Sequence, residues 1–217
     1  MLHGKRILIT AGPTYERIDP VRFIGNFSTG KMGFALAEAC AACGAEVLLV
    51  AGPVQLSVAH PHIQRIDVVS AAEMHEAVVE HFSTCDGAIL CAAVADFTPI
   101  AVADTKLKRG ADMLTIRLKP TQDIAAALGA RKRSDQFLVG FALETDNEEQ
   151  HAWDKLRRKN FDFIVLNSLN DSQACFGYDT NKITILTAAG ERMAYSLKAK
   201  NEVATDIVQQ IVKIVAK

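Results

Sequence analysis

Short continuous apolar runs alternate along this chain with segments whose apolar residues recur at helical spacing. Residues 6–10, 46–50, 87–92, 137–141 and 163–166 are such runs, rich in Ile, Leu, Val and Phe, and each reads as a strand. Between them, residues 31–43 carry an Ala-rich helical pattern that stops at Gly44, a residue free to adopt the left-handed conformation of helix ends. Ser70-Ala71-Ala72-Glu73 is a capping box opening a helix to about residue 83. A charged helix is expected over 147–159. Strands buried on both faces read as unbroken apolar runs, so the pattern predicts an α/β fold: a doubly wound, mostly parallel, Rossmann-like sheet in a single domain spanning 1–217. Ligands of such sheets bind at the carboxyl ends of the strands, where the loops after Thr10, Ala92 and Phe141 are expected to converge.

Three segments depart from the plain alternation. Residues 96–118 are too long for a simple strand-to-helix loop, and they carry Lys106-Leu107-Lys108-Arg109-Gly110 before the alternating residues 113–118. They read as a basic flap on a hairpin. Residues 182–186 and 192–196, separated by Ala188-Ala189-Gly190, predict a C-terminal β-hairpin, followed by a last helix over 202–215. The third segment, Gly25-Asn26-Phe27-Ser28-Thr29-Gly30-Lys31-Met32-Gly33, places a glycine-spaced turn at the start of a helix, where backbone N–H groups and the helix dipole can hold a phosphate. It is almost the phosphate loop G-x-x-x-x-G-K-[ST], but Met32 stands where a magnesium-binding hydroxyl would be required. A long polar loop, residues 11–29, also separates it from the first strand.

Composition narrows the partners. The chain has 217 residues, 49% hydrophobic, with Lys+Arg 24 against Asp+Glu 25, so its balance gives no reason to expect nucleic acid or an anionic membrane. A small ligand is expected instead. No run is long enough for a membrane span, and residues 1–5 lack the apolar core of a signal peptide, so a cytoplasmic protein is expected. Five cysteines, an odd number in apolar contexts, fit reduced core thiols.

Several short motifs dissolve on inspection. Cys40 and Cys43 have redox spacing but end a helix instead of opening one. Tyr178 and Lys182 have the spacing of short-chain reductases but lead into a strand, not along a helix face. His60-Pro61-His62 would need metal ligands from elsewhere. An NAD(P)-dependent reductase, the alternative together with a silent Rossmann-type nucleotide-binding module, lacks the acid expected after its second strand, where Val50-Ala51-Gly52-Pro53 stands.

A wider constellation remains. Thr10-Ala11-Gly12-Pro13-Thr14, Ile18-Asp19-Pro20-Val21-Arg22, residues 26–33, Ala92-Ala93-Val94-Ala95-Asp96-Phe97, Lys106-Leu107-Lys108-Arg109, Val139-Gly140-Phe141 with Glu144-Thr145, and Lys159-Asn160 with Asp162 resemble the phosphopantothenate-cysteine ligases of coenzyme A biosynthesis. The resemblance implies activation of the 4'-phosphopantothenate carboxylate by a nucleoside triphosphate, then displacement of the nucleotide by the amine of cysteine. It implies catalytic roles for Asn26 and for the flap residue Lys106. Arg22, Asn26, Ala92, Ala93 and Asp96 are implied to bind phosphopantothenate, and Leu90, Cys91, Ala92, Asp96, Lys106, Asp123, Ile124, Phe141, Lys155 and Lys159 the nucleotide. CTP is the expected nucleotide, since bacterial relatives use it and the compact length looks bacterial. Arg109 stands where the family has Lys, and Thr121-Gln122 where many members have Asn-Pro. No metal cluster is encoded, so magnesium is expected to arrive with the triphosphate. A homodimer is implied, with Arg22 reaching the phosphate held mainly by the other chain.

Overall fold

The structure, a computed structural model, describes residues 1–110, 113–144, 146–168 and 177–216. In chain order its elements are β1 (Arg6–Ala11), β2 (Tyr15–Arg17), β3 (Phe23–Gly25), α1 (Lys31–Ala42), β4 (Glu46–Ala51), β5 (Ile63–Asp67), α2 (Ala71–Phe82), β6 (Gly87–Leu90), β7 (Phe97–Pro99) and β8 (Leu118–Pro120). Then follow α3 (Ile124–Arg131), β9 (Phe137–Glu144), α4 (Glu148–Arg158), β10 (Phe163–Ser168), β11 (Thr180–Asn181), β12 (Ile183–Thr187), β13 (Arg192–Ala194), β14 (Lys198–Ala199) and α5 (Lys200–Val215).

Eight strands form one sheet in the order β13-β12-β10-β9-β6-β1-β4-β5. The run from β5 to β10 is parallel throughout, and the predicted C-terminal hairpin extends it: β12 pairs antiparallel with β10, and β13 with β12. Alternate residues of the strands serve opposite faces, as the period of two requires. Ile7, Ile9 and Ala11 pack with α1 and α5, while Leu8, Leu48 and Val50 pack with α2, α3 and α4. Helix α1 lies unusually close to β1, because a Cβ on Gly33 would stand 2.5 Å from that of Ala11.

Four features differ from the sequence pattern. Edge strand β5 reads Ile-Gln-Arg-Ile-Asp, too polar for an apolar run; polar side chains suit an edge that must not pair further. Helix α3 was invisible to periodicity because it is short and half alanine; the Asp123 side chain caps it by accepting from Ala126 N at 2.9 Å. The expected loop over 11–29 contains the hairpin β2–β3, closed by Tyr15 stacked on Phe23 with ring centroids 3.8 Å apart. Among the described residues of the flap, only Leu118–Pro120 joins a ladder, with Phe97–Pro99; residues 113–117 form no strand, and Met113 and Leu114 face solvent. Cys40, Cys43, Cys85 and Cys91 are free thiols; Cys175 lies outside the described residues. Among the described residues no helix is long and apolar enough to cross a membrane.

Candidate functional site

The chain order of the sheet reverses between β1 and β6, and the loops leaving these strands are laced together. After Ala11 the chain turns at Gly12, with φ +81°, and Pro13 forms a bridge with Ala93. Ala93 N donates to Gly12 O at 2.9 Å. Thr10 Oγ1 accepts from Ala92 N at 3.2 Å and Thr14 Oγ1 from Ala95 N at 2.9 Å, while Thr121 Oγ1 donates to Ala95 O at 2.7 Å. Residues 92–96 are thus held by three hydroxyls from two segments, with alanine side chains that leave their backbone open to the cleft. Asn26 joins them: its Nδ2 donates to Ala93 O at 2.7 Å.

Two clefts flank this loop. The first, of about 340 Å3, lies on the α1 and α5 side and is lined by Asn26, Ser28, residues 29–33, residues 91–94, Asp96, residues 141–143, Lys155, Asn167, Asn181 and Lys200. Helix α1 opens onto it without a capping side chain, from Gly30 at φ +79°, so its first-turn N–H groups lack helical acceptors. The second, of about 580 Å3, lies on the other face of the sheet and includes Leu90, Asp123, Ile124 and Lys159. Both share Ala92, Val94, Asp96, Phe141 and Lys155. The expected convergence of the loops after Thr10, Ala92 and Phe141 is present, although β9 continues beyond Phe141 to Glu144.

Most of the candidate residues therefore meet, but Arg22 and Lys106 line neither cleft. Lys106 is exposed on the flap. Arg22 is tied to the buried Asp19 through both Nε and Nη2, and its Nη2 also donates to Leu107 O at 2.6 Å. Asp19 accepts in addition from Val21 N, Arg22 N and Leu107 N. The Arg22 guanidinium holds the Asp19 carboxyl well below the ordinary carboxylate range. A carboxyl depressed by folding stabilises above its unfolded pKa and loses that contribution only as pH falls toward its folded value. The anchor of the flap should hold through mild acid, and Asp19→Asn should release it at neutral pH. Limited trypsin digestion reads this directly, since Lys106, Lys108 and Arg109 are cleavage points; the variant should be cut there several times faster, and equal rates would refute the anchoring role.

Lys155 and Lys159 lie on the same side of α4 and both line the second cleft, each with a protein partner. Lys155 Nζ donates to Phe141 O at 2.9 Å, and Lys159 pairs with Asp123. Burial raises the Asp123 carboxyl, but the Lys159 ion pair, the hydrogen bond from Ala126 N and the charge of Arg158 together outweigh it, and the net shift is downward. Burial pushes the Cys91 thiol up to about 12, so it is protonated at neutral pH and is no nucleophile. Sequence reasoning missed Asp19 as an anchor and Asn167, Asn181 and Lys200 as lining residues. Only a polar residue closing an apolar strand, such as Asn167, was a visible signal.

A Cβ on Gly52 would stand 1.7 Å from Pro13 O, so the turn after β1 packs directly against the end of β4.

Fold and clefts together define a doubly wound α/β domain with its ligand site at the topological switch point. The chain belongs to the family described as the DNA/pantothenate metabolism flavoprotein C-terminal domain, which matches residues 2–215. It is 48% identical over 210 residues to the coenzyme A biosynthesis bifunctional protein CoaBC of Bacillus subtilis (strain 168), covering 97% of this chain and 52% of that protein. It is 58% identical over 214 residues to a protein of an unknown prokaryotic organism named cysteine/cysteine sulfinic acid decarboxylase, covering 99% of this chain and 60% of that protein. The chain thus spans between half and two thirds of these relatives. Among solved structures, the C-terminal domain of CoaBC superposes with a TM-score of 0.84 at 44% identity, covering 99% of this chain and 97% of that chain.

Proposed function

We propose that this chain is a phosphopantothenate-cysteine ligase acting in coenzyme A biosynthesis, with CTP as co-substrate and magnesium as its companion ion. The supporting observation is the meeting of Asn26, Ala92, Ala93, Asp96, Phe141 and Lys155 around one strand end, in a chain of this family. The substrate carboxylate attacks the α-phosphorus of CTP; an acyl–O–P bond forms, the bond to the β-phosphate oxygen breaks, and pyrophosphate leaves with the electron pair. The amine of cysteine then attacks the acyl carbon, CMP leaves and the nitrogen loses a proton. Attack of one anion on another requires positive charge and fixed donors. Asn26 supplies a neutral donor beside the acyl oxygen, Lys155 and Lys159 supply charge, and Lys106 reaches the nucleotide when the flap closes.

Asp96 is the single carboxylate among the residues lining the first cleft, and among the described residues no cluster of three or more acidic, His or Cys side chains could hold a metal. That donor set fits a magnesium ion held mainly by phosphate oxygens and water. The test is pyrophosphate release and product mass with phosphopantothenate and each nucleotide, with and without cysteine. CTP should support turnover well above ATP, and Lys106→Gln should impair formation or processing of the acyl-nucleotide. Equal or greater turnover with ATP refutes the base assignment; no amide product with any nucleotide refutes the ligase. Carbon dioxide released from cysteine or cysteine sulfinate alone would favour the activity named for the 58% relative instead.

The working form is a cytoplasmic homodimer. Val21, Phe23, Phe27, Phe97, Ile100 and Val102 are exposed apolar residues of the β2–β3 hairpin, its following loop and the flap base, and they suit a second copy. Arg22 sits among them. If its side chain serves the partner's phosphate while Asn26 serves its own site, inactive Arg22→Ala and Asn26→Ala chains complement on mixing. About half the dimers are then mixed with one intact site in two, so about a quarter of full activity returns. No recovery despite proven exchange would mean that Arg22 acts within its own chain.

A further inference from the structure

The rear of the first cleft carries charge that Asn26, Arg22 and Lys106 do not account for. Its charged lining residues are Lys31, Lys155 and Lys200 against Asp96 alone. Lys31 and Lys200 are the first residues of α1 and α5, where the helix dipole disfavours a cation unless an anion is also present. Lys200 is only 8% exposed, with its Nζ 2.7 Å from Tyr178 O. The short β11–β14 ladder fixes its backbone beside Asn181, which is 2% exposed and donates to Asn167 Oδ1 at 3.0 Å. Lys31 reaches across to Asp179, whose side chain is 85% exposed and readily displaced.

We propose that Lys200, together with Lys31, holds the β- and γ-phosphates of the nucleotide and the pyrophosphate they become. This rests on the ligase reading. A nucleoside in the second cleft, against Ile124 and Phe141, directs its phosphates over the shared Ala92 and Asp96 into the first. In-line attack from the Asn26 side leaves the departing pyrophosphate on the far side of the α-phosphorus, toward α5. Cysteine suits the rear pocket less well, because its zwitterion has no net charge to match the excess of lysines.

The test compares equilibrium binding of CTP, CMP and inorganic pyrophosphate to the full chain and to Lys200→Gln. Loss of a charge-assisted contact should weaken CTP and pyrophosphate about tenfold or more, while CMP changes less than about twofold. Equal weakening of CMP, unchanged pyrophosphate binding, or a raised KM for cysteine alone would overturn the assignment. If Lys200→Gln fails to melt cooperatively, Asp179→Asn carries the test. Freeing Lys31 from an exposed ion pair should tighten pyrophosphate about threefold, and unchanged or weaker binding overturns the proposal. Product formation by the unmodified chain judges the ligase reading; the difference between CTP and CMP judges Lys200.

Discussion

Asn26→Asp should leave the fold intact and slow amide formation by about 10²-fold or more, the scale on which loss of one aimed donor is felt. Asn26 is exposed and its Nδ2 donates to Ala93 O at 2.7 Å, so the wild-type amide is pinned by a donor that aspartate lacks. A carboxylate oxygen at that distance from a carbonyl oxygen is repelled and must turn away. On the proposed function it also adds a negative charge where the substrate carboxylate and the nucleotide phosphates would meet. Asn26→Ala removes only the donor, so the aspartate should be the slower variant. Quenched single-turnover reactions analysed by mass spectrometry give both rates and reveal any acyl-nucleotide that accumulates. Unmodified turnover in both variants would remove Asn26 from the reaction.

Gly52→Ala should destabilise the protein by about 3 kcal/mol, the upper range for overpacking a filled site. For a chain of this length that corresponds to a melting temperature lower by about 6–12 °C. The backbone of Gly52 does not need a positive φ, so the effect is steric: the new Cβ would stand 1.7 Å from Pro13 O. Pro13 cannot retreat freely, because it bridges Ala93 and is followed by Thr14, whose hydroxyl holds Ala95. Displacement should therefore pass into the cleft and weaken nucleotide binding as well. Gly190→Asn is the matched control, at a left-handed turn with nothing within 4 Å, and asparagine tolerates that conformation. A Gly52→Ala protein as stable as the control would mean that the turn is more yielding than its hydrogen bonds suggest.

The parallel core was legible because strands buried on both faces leave unbroken apolar runs, as Ile7-Leu8-Ile9 and Val47-Leu48-Leu49 do. The β5 edge of the sheet was not, because Gln64 and Arg65 are the polar residues an edge needs and so resemble a loop. The lining of the candidate clefts was legible where neighbouring residues form a block, as in Asn26 to Gly33 or Ala92 to Asp96. It was hidden where a side chain arrives alone from a distant element. Lys200 looks like any surface lysine opening a helix until β11 and β14 bring it beside Asn181. Asp19 stood in the sequence only as one residue of the Ile18-to-Arg22 block, and only the folded flap shows that its carboxylate gathers Arg22 and Leu107 N together.

If the cleft receives cysteine, as the ligase reading requires, the protonated thiol of Cys91 bears on how it handles sulfur. Burial raises the Cys91 thiol well above its ordinary range, so little of it is thiolate at pH 7, and thiol–disulfide exchange begins from the thiolate. Cystine or other oxidised thiols entering with the substrate would find almost no nucleophile there. On that reading, the apolar packing of Cys91 would spare the chain capture by its own sulfur substrate as a mixed disulfide.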